Sequence, residues 1–113
     1  MYIGEVAKIT GLSIKAIRLY EERGLIIAPP RKGRYRVYSA THIELLNLIK
    51  EAKLLGSTLN QLKDVIVYKD GKVDWKLVGD FLENIKQELL KQARDIQIKI
   101  NQVDACLKII NTS

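Results

Sequence analysis

One cysteine, one histidine and one pair of prolines are all that 113 residues supply of those types. A lone Cys106 excludes an intrachain disulfide framework and any metal site built on paired cysteines. One His, one Cys and no phosphate-cradling glycine loop leave no recognisable catalytic set, so no enzyme is expected and no cofactor is assigned. Pro29 and Pro30 are adjacent, and a helix cannot continue through them. No apolar run reaches membrane-spanning length, and no charged-then-apolar segment opens the chain. The expectation is a cytoplasmic protein with no membrane partner.

What is there is charge, unevenly placed. Residues 1–72 hold thirteen Lys and Arg against seven Asp and Glu, whereas residues 73–113 hold six against six. The basic excess therefore belongs to one half of the molecule. That suits a polyanion-binding head on a neutral scaffold, or equally a generally basic soluble protein.

The apolar spacing predicts four short helices before residue 70. The first runs from Ile3 to about Ile9, with Ile3, Val6 and Ala7 on one face, and Gly11 breaks it. Ser13 can cap a second helix reaching about Glu22, with Ile14, Ile17 and Leu25 as candidate core residues. Helix, short glycine-containing turn and helix is the helix-turn-helix pattern. Gly24 ends the second helix. After the prolines, Arg31-Lys32-Gly33-Arg34-Tyr35-Arg36-Val37-Tyr38 predicts a small two-stranded hairpin turning at Gly33, a wing.

A third helix is expected over about Thr41 to Leu54, capped by Thr41 with Glu44 or by Ser39. Its buried side is Ile43, Leu45, Leu46, Ile49 and Ala52. Gly56 stops it. A fourth starts at Thr58, with Gln61 three residues on, and is expected to reach about Tyr68, with Leu59, Leu62, Val65 and Ile66 inward. Lys69-Asp70-Gly71-Lys72 is a polar break.

One long helix then runs from about Asp74 to Ile110. Val78, Leu82, Ile85, Leu89, Ala93, Ile96, Ile100, Val103, Leu107 and Ile110 recur at spacings of 4, 3, 4, 4, 3, 4, 3, 4 and 3. That is a heptad seam with one four-residue insertion near Ala93, a stutter that locally unwinds a supercoil. A helix of roughly 55 Å, at 1.5 Å per residue, outruns the small head and cannot bury its stripe there. It needs a partner helix; only Trp75, Leu77 and Phe81 are placed to pack on the chain's own head.

Lys15 and Arg18 sit three apart on the second helix and share a face, with Tyr20 further round. That face is either solvated or able to reach guanine edges and phosphates in a major groove. The wing is more telling. Four of the six residues Arg31 to Arg36 are basic, with Tyr35 among them and Tyr38 just beyond. A hairpin with almost no core carries that charge at a cost in self-repulsion unless an anion relieves it.

MYIGEVAKITGLSIKAIRLYEERGLI, then YRVYS, then HIELLNLIKEAKLLGSTLNQLKDVI resembles the DNA-binding domain of the MerR family of bacterial transcription regulators. The long helix resembles that family's antiparallel dimerisation helix. The specific features are IR-x-YE, G-x-YR-x-Y and LG-x-x-L taken together. The resemblance implies a mainly α fold. Residues 1–70 form a winged helix-turn-helix, and 71–113 form a coiled-coil dimerisation helix with no separate effector domain. It implies DNA contacts from Lys15, Arg18 and Tyr20, and phosphate contacts from Tyr35 and Arg36 helped by Arg31 and Arg34. His42 either touches the DNA backbone or faces solvent. Dimerisation falls to Leu82, Ile85, Leu89, Ala93, Ile96, Ile100, Val103 and Leu107. The implied partners are promoter duplex DNA, a second copy of the chain and, indirectly, RNA polymerase. Family members bend and untwist promoters with overlong spacers, so that deformation is offset by protein contacts.

Several departures stand against the family pattern. Leu19 replaces a usual aromatic, and the wing is about two residues shorter than in many relatives. No paired-cysteine loop of the kind metal-sensing members carry after the long helix is found in these 113 residues, so metal sensing by that route and a drug-binding domain are not expected. Cys106 is either a small apolar side chain at the seam's edge or a target for an electrophile or small thiol. In an antiparallel pair centred near Arg94 the two Cys106 lie roughly 36 Å apart. A disulfide needs Cα atoms within about 7 Å, so a direct bridge is excluded. Two other functions fit the same residues: an effector-independent DNA-bending or excision-type protein, and a coiled-coil protein adaptor.

Overall fold

The computed structural model describes residues 1–112. It divides into two units, Met1–Trp75 and the residues from Lys76 onward.

The first unit opens with α1 (Ile3–Thr10), which ends at Gly11 in the left-handed region, φ 74°. Lys50 Nζ donates to the Thr10 carbonyl at 2.8 Å, satisfying one of the orphan acceptors of that helix end. α2 (Ile14–Glu22) follows after three residues, its Ser13 hydroxyl accepting from the Ala16 N–H at 3.0 Å. α2 stops in a Schellman motif: Gly24, at φ 77°, donates to the Glu21 carbonyl, and Leu25 N–H reaches back to Tyr20. The same motif, around Gly56, closes α3 (Ala40–Leu54).

Between α2 and α3 stands the wing, β1 (Arg31–Lys32) and β2 (Tyr35–Arg36), antiparallel with Arg31 opposite Arg36. Its turn takes positive φ at Gly33 and not at Arg34, the pattern of a type II′ turn. A hairpin this short is not stable alone. It is held at its base, where Tyr38 N–H donates to the Met1 carbonyl at 2.7 Å.

Ser39, not Thr41, caps α3. Its hydroxyl and the His42 ring form a reciprocal capping box, because His42 stands at the third helical position. α4 (Leu59–Val65) carries the expected Thr58–Gln61 box but ends before Tyr68. The chain instead makes a second hairpin, β3 (Tyr68–Lys69) and β4 (Lys72–Val73), around Asp70-Gly71 with both residues at positive φ. That is the type I′ geometry Asp-Gly favours. These strands pair across position 70, and the compact first unit runs to Trp75. Tyr68 anchors the hairpin by donating its hydroxyl to the Leu25 carbonyl at 2.9 Å.

Val6, Ile17, Leu25, Ile26, Leu45, Leu46, Ile49, Ala52, Leu62 and Ile66 make the core of this unit. Each large side chain buried this way stabilises by about 1.5–3 kcal/mol. Ile14 is exposed and Ile43 only half-buried, so neither belongs to that core.

The second unit is almost wholly α5 (Trp75–Asn111), 37 residues without interruption. Val78 is buried and Leu82 and Ile85 are half-buried. From Leu89 on the seam is open: Ala93, Ile96, Ile100, Val103, Leu107 and Ile110 are all exposed. Cys106 is a free, exposed thiol on the same stretch. No helix of the described residues is long and apolar enough to cross a membrane.

Candidate nucleic-acid interface

α2 presents Lys15 and Arg18 to solvent, as 3.6-residue periodicity requires once Ile17 and Tyr20 turn inward. With Ser13, Ala16, Leu19 and Glu22 they border a shallow depression of about 510 Å³. Arg18 also borders a smaller cleft, about 100 Å³, with Tyr2, Ile3, Arg34, Tyr35, Arg36 and Tyr38. Arg18 is therefore the hinge of the surface, shared by the helix face and the wing.

On the wing, Arg31, Lys32, Arg34 and Tyr35 are exposed. The Tyr35 ring packs tilted against Tyr2, centroids 5.7 Å apart. Arg36 is half-buried, and its Nε lies 2.7 Å from Glu21 Oε1 on α2. Arg18, Arg34, Tyr35 and Arg36 thus share one cleft, while Lys15 joins them only through Arg18.

Two expected contacts are placed differently. Tyr20 is 4% exposed, its ring turned into the core with the Lys53 ammonium 5.8 Å from the centroid. The position that puts Arg18 outward puts Tyr20 inward, so Tyr20 is a packing residue. His42 neither faces solvent freely nor offers a free ring nitrogen. Nδ1 accepts from the Ser39 N–H at 3.0 Å, and Nε2–H donates to the Ile27 carbonyl at 2.9 Å. Those two bonds require the neutral Nε2–H tautomer. The ring also meets Tyr38 edge-on at 5.6 Å. His42 therefore joins the start of α3 to the segment after α2.

Three residues escaped the sequence reading. Glu21 holds Arg36; the glutamate of the IR-x-YE motif was its only signal. Tyr2 flanks Tyr35, and nothing in its sequence surroundings announces that. Tyr38 is 3% exposed, and among the described residues its buried hydroxyl has no hydrogen-bond partner. Burial first, and then the Glu21 carboxylate, push its pKa upward.

No group of three or more His, Cys, Asp or Glu side chains able to hold a metal occurs among the described residues. The arrangement offers cationic forks and phenolic rings on a helical support, groups that donate hydrogen bonds to anionic oxygens.

A helix-turn-helix carrying a basic two-stranded wing, followed by a long amphipathic helix, defines the winged class of helix-turn-helix proteins. A family model described as MerR HTH family regulatory protein matches residues 1–69. The chain belongs to the MerR family, a family of regulatory proteins and not of enzymes.

The HTH-type transcriptional regulator CueR of Yersinia pestis is 46% identical over 67 residues, which are 58% of this chain and 48% of that protein. CueR of Salmonella typhi is 31% identical over 107 residues, 93% of this chain and 72% of that one. The chain spans about half the length of the first of these curated relatives. Among solved structures, a MerR family transcriptional regulator from Listeria monocytogenes superposes with a TM-score of 0.68 at 21% identity, covering 92% of this chain and 80% of that one. HiNmlR, a MerR family regulator lacking the sensor domain and bound to promoter DNA, gives 0.62 at 19% identity, covering 89% and 78%. At these identities the structural likeness shows the fold.

Proposed function

We propose that the chain is a transcription regulator that grips promoter duplex DNA as a homodimer and distorts it to control RNA polymerase. The observation that carries this reading is the shared cleft of Arg18, Arg34, Tyr35 and Arg36, with Lys15 continuing the same charge along α2. Lys15 and Arg18 lie where a recognition helix meets base edges and phosphates. Arg31, Arg34, Tyr35 and Arg36 form a wing whose donors suit phosphate oxygens.

The second unit supports the homodimer. α5 exposes Leu89, Ile96, Ile100, Val103 and Leu107 on one heptad stripe. A second α5 running antiparallel covers that stripe and sets two heads at a fixed spacing. Leu82, Ile85 and Ala93 complete the seam. A pair of heads so held bends the duplex between them.

The test begins by selecting bound sequences from a random duplex library with the wild-type protein. Arg18→Ala and Arg36→Ala are each expected to weaken binding to the selected duplex about tenfold or more without dissolving the dimer. Affinity for that duplex falls steeply with salt as released counterions lose their advantage. Unchanged affinity in both variants contradicts the proposal and favours a coiled-coil adaptor. Selected sites that match recombination junctions and not promoters favour an excision-type protein.

A further inference from the structure

Beside the wing the basic surface carries a carboxylate that opposes its proposed ligand. Glu21 lies in the last turn of α2 with its side chain 13% exposed, and its Oε1 is 2.7 Å from Arg36 Nε on β2. A negative charge against Arg36, three residues on from Arg18 along α2, repels a phosphate backbone, and burying it costs desolvation. Charge alone therefore argues for its removal. What it does to Arg36 argues the other way.

The wing has two residues per strand, too few to hold itself. Its base is fixed by Tyr38 and Met1, where Tyr38 N–H donates to the Met1 carbonyl at 2.7 Å and the Met1 amine donates to the Tyr38 carbonyl at 3.2 Å. Further up the hairpin, the ion pair from Glu21 joins β2 to α2. A guanidinium is a planar fork of five N–H donors. Nε and Oε1 meet as opposite charges and not as a hydrogen bond, since neither atom has a hydrogen-bond partner among the described residues; the attraction draws the fork toward α2, and its terminal nitrogens remain for a phosphate. Tyr38 lies in the same neighbourhood: Glu21 raises its pKa while Arg36 and Arg18 lower it, burial being the larger cause of the net rise.

We propose that Glu21 is a positioning residue for duplex recognition, fixing the Arg36 fork and locking the wing to the recognition helix. This rests on the DNA-binding reading above. Two effects with opposite signs follow. Losing the carboxylate adds net positive charge, which tightens binding to any duplex. Losing the lock frees the Arg36 fork and the wing, which weakens binding where their placement matters.

The experiment compares wild-type protein, E21Q, R36Q and E21Q/R36Q on two probes of equal length: a duplex selected by the wild type and a scrambled duplex. E21Q is expected to lose roughly tenfold on the selected duplex, the scale for misplacing one charge-assisted contact to a phosphate. On the scrambled duplex it is expected to bind as well as wild type or better. The double variant is expected to bind the selected duplex no more weakly than R36Q, because Glu21 acts through Arg36. E21D keeps the carboxylate with a shorter reach, guards against a variant that fails to fold, and is expected to fall between wild type and E21Q. E21Q binding the selected duplex as tightly as wild type, or additive losses in the double variant, overturns the proposal alone. Wild-type protein that ignores both duplexes overturns the DNA-binding reading and this proposal with it.

Discussion

Replacing His42 with alanine removes four interactions at once, the 2.8 Å contact of Nδ1 with the Ser39 hydroxyl among them. Nδ1 no longer accepts the Ser39 N–H, Nε2–H no longer reaches the Ile27 carbonyl, and the edge-on contact with Tyr38 is lost. A helix cap is worth about 1 kcal/mol, a neutral hydrogen bond about 1 and an aromatic contact about 0.5 or more. The two hydrogen bonds lie at the surface, where water replaces part of what is lost. The expected total is therefore about 2 kcal/mol. For a unit of this size each kcal/mol moves the melting midpoint by about 4–8 °C, so His42→Ala is expected to lower it by roughly 10 °C. Ser39→Ala removes the hydroxyl side of the same box and is expected to cost about 1 kcal/mol. The double variant should lose less than the sum, since the two side chains share one cap. Melting followed by circular dichroism reads these shifts. DNA affinity, measured well below the variant's transition, should change little. A His42→Ala protein that melts like wild type but binds the selected duplex poorly refutes this reasoning, and makes His42 a DNA contact.

Ile100→Asp places a carboxylate in the middle of the proposed seam. It is expected to halve the mass seen by light scattering and to abolish tight duplex binding together; a monomer with full affinity contradicts the coupling. Tyr20→Phe keeps the buried ring and is expected to leave duplex affinity within about twofold. A tenfold loss on the same titration would make the Tyr20 hydroxyl a contact after all. Gly71→Val forces a β-branched side chain to φ 74° and is expected to cost at least 1–2 kcal/mol in a denaturant titration. No loss there means the second hairpin does not need its turn.

The helices were legible where short-range chemistry decides them. Ser13 before Ile14, and Thr58 with Gln61, mark helix starts by side chains that reach only three residues, and both caps form. The stripe from Val78 to Ile110 predicts α5 because nothing but a helix puts those residues on one face. The first hairpin was visible in its glycine and alternation, whereas the second hid as a polar break. Asp70-Gly71 between Tyr68 and Val73 was its signal, overlooked because strands of two residues leave no alternating run.

Side-chain direction was harder to read than backbone. Lys15, Arg18 and Tyr20 look alike as polar or aromatic residues on one short helix. Tyr20 turns inward only because Ile17 and Leu25 set which face meets the core. The His42 role depends on the Ile27 carbonyl fifteen residues away, and the Glu21–Arg36 pair crosses an equal span. Such contacts exist only once the fold has brought α2, the wing and α3 together.

Hydroxyl-radical footprinting of the wild-type protein on its selected duplex tests the central claim most directly. Two heads held by paired α5 helices predict two protected patches related by a two-fold axis, with altered cleavage between them where the duplex is bent. A single patch without a symmetry mate would contradict the account.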